Sequence, residues 1–122
     1  AYAQDLHLSG NGARLSATPP VLGGTTTIQC EGAPAGSLSL LVMSAHIGTP
    51  NMTLVAAPSV SWIDPLTATL QGAYTTESWS RTQALPATPS LVGVQVNLQA
   101  WFPIGMTFPA ETSNGLHLVL GN

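Results

Sequence analysis

From Leu91 to Phe102 the chain alternates between apolar and polar residues, and this stretch constrains the fold more than any other. Successive side chains on a strand point to opposite faces, so the spacing predicts one long strand. Val92, Val94, Val96, Leu98, Ala100 and Phe102 are expected to face a core. Gly93, Gln95, Asn97 and Gln99 form the opposite row, and Trp101 falls out of phase with the apolar set. A helix would scatter the same residues around its circumference. The polar row uses amides where most surfaces use Lys and Glu, which makes it a candidate surface for contact with water, a sugar or another subunit.

Shorter stretches repeat the pattern. Gln4–Ser9 alternates on Leu6 and Leu8, with Tyr2 in phase, and Gly10-Asn11-Gly12 reads as a turn or hinge. Ala13–Ala17 and Thr25–Glu31 follow as strands, divided by Pro19-Pro20, which cannot donate to a ladder. Leu38–Ala45 is apolar on both faces, the mark of a central strand covered on both sides or lying at a subunit contact. His46–Asn51 reads as a loop, Met52–Ala56 and Val60–Ile63 as short strands, and Leu66–Thr76 as a strand with a bulge at Gly72. Glu77–Leu85 is ambiguous, because Trp79 calls for burial whereas Arg81 and Gln83 do not. Pro103–Ser113 reads as a long connection and Asn114-Gly115 as a turn, followed by a last strand on Leu116, Leu118 and Leu120. No window sustains a helical period. The expectation is an all-β antiparallel β-sandwich, immunoglobulin-like or jelly-roll-like, over residues 13–122. Residues 1–12 form an N-terminal extension strand and hinge, available for donation to a neighbour. The same alternation also suits an edge strand of its own sheet.

Charge separates this chain from an ordinary domain. Charged residues make up 6% of the 122, against a usual share of about 25%, and there is no lysine. With 44% hydrophobic residues the chain is no disordered polymer, and a net charge of −3 carried with two basic residues offers nucleic acid no footprint. No apolar run approaches the ~20 residues of a transmembrane helix. A surface of Ser, Thr, Asn and Gln loses less on desolvation than one of Lys and Glu. The composition therefore leans towards packing against copies of itself. Without lysine, isopeptide staples are excluded, so assembly is expected to be non-covalent. Ala1-Tyr2-Ala3 has the small-x-small form of a signal-peptidase site, with Gln4 as a mature start, and favours export.

A set of local signals points the same way. Pro19-Pro20-Val21-Leu22-Gly23 before a threonine-rich strand, Leu91-Val92-Gly93-Val94, Thr112-Ser113-Asn114-Gly115-Leu116 and Leu120-Gly121-Asn122 form the set. Together they resemble small β-rich modules at the C-terminal ends of secreted proteins of planctomycete-type bacteria. The likeness runs from Leu15 to Asn122. It implies export and an extracellular, non-catalytic role, with no active site. The chain departs from that pattern in carrying an extra strand in front, where those proteins carry a catalytic domain.

Catalytic signatures are missing. The sequence has no Gly-x-Ser-x-Gly elbow, His-Glu-x-x-His, phosphate loop or Cys-x-x-Cys. Its five acids are isolated from one another, which argues against a glycosidase pair, and the chain is read as no enzyme and as binding no cofactor. His7 and His117 each sit between leucines, and on neighbouring strands they would share a face, yet two ligands do not make a metal site. Cys30 is expected to be a small buried hydrophobe. Asn51-Met52-Thr53 fits a glycosylation sequon.

Two functions follow from these features. The first is a secreted structural subunit at the cell surface that self-assembles into a filament or layer by strand addition. Tyr2, Leu6 and Leu8 would form the donated strand, and other copies of the chain would be its partners. The second is an extracellular carbohydrate-binding or adhesion module, with Trp101 and Trp62 stacking on sugar rings and Gln95, Asn97 and Gln99 beside them.

Overall fold

In a computed structural model the alternating stretch is realised as a strand from Gln95 to Ile104. The structure describes residues 1–7, 13–44, 47–51, 61–63, 68–104 and 107–122. The strands among them are β1 (Tyr2–His7), β2 (Arg14–Ala17), β3 (Thr25–Glu31), β4 (Ser39–Ser44), β5 (Ile47–Asn51), β6 (Ser61–Ile63), β7 (Thr69–Tyr74), β8 (Trp79–Ala84), β9 (Gln95–Ile104), β10 (Thr107–Thr112) and β11 (Gly115–Val119). The expected strand start at Leu91 is not observed. Pro89–Leu91 forms a 3₁₀ turn and Gly93 takes a left-handed φ of +85°, a conformation that glycine adopts without steric cost. Val92 and Val94 are consequently exposed and belong to a turn.

The all-β sandwich is present. One antiparallel sheet runs β1-β11-β9-β4-β7, with β10 also paired to β9, and the second runs β2-β3-β8. Leu15, Ile28, Cys30 and Trp79 from the smaller sheet meet Leu41, Leu98, Ala100, Phe102, Leu116 and Leu118 from the larger one. Each of these sits on the inward row of its strand, so alternation in sequence becomes a single core. The bulge expected at Gly72 occurs, since Leu41 faces Gly72 while the next residue, Val42, faces Leu70. A Cβ on Gly72 would lie 2.9 Å from the Tyr74 Oη. The missing side chain thus leaves room for the Tyr74 ring, which stacks on Trp79 with centroids 4.1 Å apart.

The larger sheet is covered on its other face as well. β5 and β6 pair with each other, and β6 lies over β9, β4 and β11 without hydrogen-bonding to them. On this side Val42 and Trp101 are buried, with Leu40 and Ala68 packed against them. The two-sided burial expected for Leu38–Ala45 is therefore seen across Ser39–Ser44.

Three sequence expectations need correction. Residues 47–51 form β5 instead of a loop. The expected connection over Pro103–Ser113 is the end of β9 followed by β10, paired Ala110 to Pro103 and Thr112 to Trp101. Prolines made this segment look like a loop, yet Pro103 lies beyond the last partner on β4 and β10 is an edge strand, where proline is tolerated. The Asn114-Gly115 turn is a β-bulge. Thr112 faces Trp101 and Leu116 faces Leu98, so four steps along one strand oppose three along the other. β10 and β11 thereby run as one bent strand along β9.

Cys30 is fully buried, and burial, reinforced by the charge of Glu31, pushes its thiol from 9.0 up to about 11. The unfolded chain loses this proton first, so the native state binds more protons between these values and stability falls as pH rises from 9 to 11. Native protein at pH 8 is expected to resist a dithiobis-nitrobenzoate reagent that labels the unfolded chain within minutes. The Cys30→Ala variant should lose part of the alkaline decline in denaturation midpoint. Rapid labelling of native protein would contradict this account.

Candidate functional site

The N-terminal strand is the first candidate. β1 pairs antiparallel with β11 of its own chain, Tyr2 opposite Val119, Gln4 opposite His117 and Asp5 opposite Leu116. The register slips at Leu6, so that His7 faces Gly115. Leu8 and the Gly10-Asn11-Gly12 hinge lie outside the described residues. Tyr2, Leu6 and Leu8 were expected to form one row of the donated strand; here Ala3 packs on the core, and the side chain of Leu6 lies outside the described residues. Tyr2 is half exposed and turns to the other face, its ring 6.4 Å from that of His117. The placement of Ala3 follows from the pairing. Asp5 must face the smaller sheet to reach its partners there, and Ala3 is in phase with it.

Those partners converge on the bulge. Asn114, fully buried, accepts from the Leu15 backbone N–H through Oδ1 at 2.7 Å and donates through Nδ2 to the Leu15 carbonyl at 2.9 Å. One side-chain amide thus stands in for a strand residue and ties β2 of one sheet to β11 of the other. The same Nδ2 donates to Asp5 Oδ1 at 3.0 Å, and Arg14 Nη2 reaches Asp5 Oδ2 at 2.6 Å. The Asp5–Arg14 pair is half exposed and contributes little by itself. Asn114 does the joining, because its partners are backbone groups with no water to replace it. Sequence reasoning saw Asn114 only as a turn residue. The missed signal was an Asn-Gly pair lying between two stretches that both alternate.

The polar row of β9 is the second candidate, and here the structure overturns an expectation. Gln95 is exposed, but Asn97 and Gln99 are wholly buried and Trp101 is 4% exposed. They are not an exposed ribbon, and Trp101 is no platform for a sugar. The layer formed by β5 and β6 covers this face, and each polar group is satisfied internally. His117 Nδ1 donates to Asn97 Oδ1 at 2.6 Å, and Asn97 Nδ2 donates to the Ser44 carbonyl at 3.4 Å. Gln99 Nε2 donates to the Ser113 carbonyl at 2.9 Å, and Gln99 Oε1 accepts from Trp101 Nε1 at 3.3 Å. Ser113 also bonds across the bulge, its Oγ accepting from the Ala100 N–H at 3.0 Å. The amides hold β9, β11 and the bulge in register from the covered side.

The histidine pair on neighbouring strands resolves differently. β1 and β11 do adjoin, but His117 is buried and hydrogen-bonded to Asn97, and His7 stands opposite Gly115. Among the described residues no group of three or more His, Cys, Asp or Glu side chains forms. His46, Asp64 and the sequon's Met52 and Thr53 lie outside the described residues. No helix of the described residues is long and apolar enough to cross a membrane. No family model, curated protein or solved structure matches this chain.

Proposed function

We propose that this chain is a secreted, non-catalytic structural subunit that assembles with copies of itself outside the cell by exchanging β1 between neighbours. The observation that carries the reading is the way β1 is held. It is an edge strand, joined by the ladder to β11, by Asp5 to Asn114 and Arg14, and by Tyr2 to His117. A second copy presents the same acceptor groups, so exchange re-forms every one of these bonds between chains. Because the donor surface and the acceptor surface are different patches, the contact is heterologous and propagates head to tail into an open polymer. The sparse charge supports the reading, since 6% charged residues give little repulsion between approaching edges. Export and the resemblance to secreted modules fit the same role. The sugar-binding alternative loses Trp101 to burial, the side chain of Trp62 lies outside the described residues, and it is not proposed.

A cross-link distinguishes exchange from self-pairing. Tyr2 and Val119 are directly paired, within the Cα separation a disulfide spans. The Tyr2→Cys/Val119→Cys protein, in a Cys30→Ala background, is expected to oxidise into a ladder of dimers, trimers and longer species on a non-reducing gel. A single intramolecularly bridged monomer at every protein concentration, eluting as a monomer in size exclusion, would rule out exchange.

A further inference from the structure

The sandwich does not close fully. Between the sheets lies a cavity of about 270 Å³, open to solvent, whose walls are Ile28, Leu41, Met43, Leu98, Leu118 and Leu120. Four polar residues, Thr26, Gln71, Arg81 and Gln83, line it alongside these. Arg81 and Gln83 come from the inward row of β8, in phase with the buried Trp79, which is why this segment read ambiguously as sequence. β7 and β8 are each the last strand of their sheet, and Arg81 spans the gap between them by donating through Nη1 to the Gln71 carbonyl. Its Nη2 reaches Gln83 Oε1 at 3.3 Å. Both partners are neutral, and among the described residues no carboxylate pairs with this guanidinium.

A half-buried cation on the inward face of an apolar cavity is costly unless an anion meets it. We infer that the inter-sheet cleft is a binding site for an aliphatic carboxylate, its chain lying among the leucines and its head group on Arg81. The charge selects the head, because a guanidinium pairs with a carboxylate through two parallel N–H bonds. The lining selects the tail, since leucine, isoleucine and methionine side chains form most of the wall. Neither feature serves strand exchange, which uses the opposite edge of the larger sheet, so the inference stands apart from the proposed assembly.

Calorimetric titration of the full chain with hexanoate, octanoate, decanoate and dodecanoate tests the site. Affinity is expected to rise about fourfold for each added methylene and to level off once the cleft is full. Decyltrimethylammonium, with the same tail and the opposite charge, should not bind. The Arg81→Gln variant should lose about tenfold or more in affinity for decanoate and nothing for decan-1-ol, and Arg81→Lys should recover part of the loss. Met43→Trp, which fills the cleft without touching the cation, should abolish binding of both while near-ultraviolet circular dichroism remains that of a folded protein. The inference is overturned if decanoate gives no heat, if decyltrimethylammonium binds equally well, or if Arg81→Gln leaves decanoate affinity unchanged.

Discussion

Replacing Asn114 with leucine should destabilise the protein by about 4 kcal/mol, because the two sheets lose the amide that joins them. Leucine keeps the branching and heavy-atom count of asparagine, so the loss is of hydrogen bonds and not of side-chain atoms. The Leu15 N–H and carbonyl are left buried without partners, each at a cost of about 1–3 kcal/mol. Asp5 loses a donor as well. Urea denaturation should show a lower midpoint at unchanged slope, and the thermal midpoint should fall by about 15 °C. The Asn114→Asp variant separates polarity from pairing. Its new carboxylate still accepts from the Leu15 N–H, but the other oxygen meets the Leu15 carbonyl and Asp5. Both neighbours favour the protonated form, so the introduced carboxyl has a raised pKa in the native state. The stability linked to its protonation is fully present below the unfolded pKa of about 3.9 and is lost as pH rises through the folded value. Relative to the parent protein, this variant should therefore be more stable at pH 4 than at pH 7. A leucine variant within 1 kcal/mol of the parent, on the scale of a surface change, would show that Asn114 does not join the sheets.

The second large effect concerns His117 and Asn97, which face each other across β11 and β9. Asn97→Leu should cost about 3 kcal/mol, because it leaves the His117 Nδ1–H buried without its acceptor. His117→Leu should cost a similar amount by stranding the Asn97 carbonyl oxygen. With both positions leucine, neither polar group remains to be desolvated, and the double variant should recover about 2 kcal/mol relative to the sum. Additive losses would mean that the two side chains act independently, which the 2.6 Å separation contradicts. Recovery would also identify the buried amides of β9 as devices of register, since an apolar pair at this site packs without specifying its partner.

The core was legible in the sequence because burial on one face leaves a period of two. Leu98, Ala100, Phe102, Leu116 and Leu118 were readable for that reason. The period does not say what covers the other face, and that is where Asn97, Gln99 and Trp101 were misplaced. The correction was available on the adjoining strand. Leu38–Ala45 reads as covered on both sides, and β4 is the direct neighbour of β9, so its cover extends to the adjoining row. Asn114 was less accessible. Whether an Asn-Gly pair makes a turn or a bulge depends on the register of β9 against both β10 and β11, a relation between distant segments. Arg81 was visible as an anomaly in an otherwise strand-like stretch, but its meaning required knowing that β7 and β8 end their sheets side by side.

The pairing of β1 with β11 sets an order of events while the chain is being made. Asp5 and Asn114 are 109 residues apart, so β1 leaves the ribosome long before β11 and has no partner until the strands between them have been synthesised. Closing so long a loop is slow compared with forming the β3–β8 and β4–β9 ladders, which lie between. During that interval the molecule is a nearly complete sandwich with an unpaired β11 edge and an idle β1. Under the proposed exchange, in a crowd of identical chains whichever β1 arrives first would complete the sheet. If β1 is exchanged as proposed, local concentration at the moment of folding decides between a closed monomer and a growing chain, and the fold would act as a counter of its own neighbours.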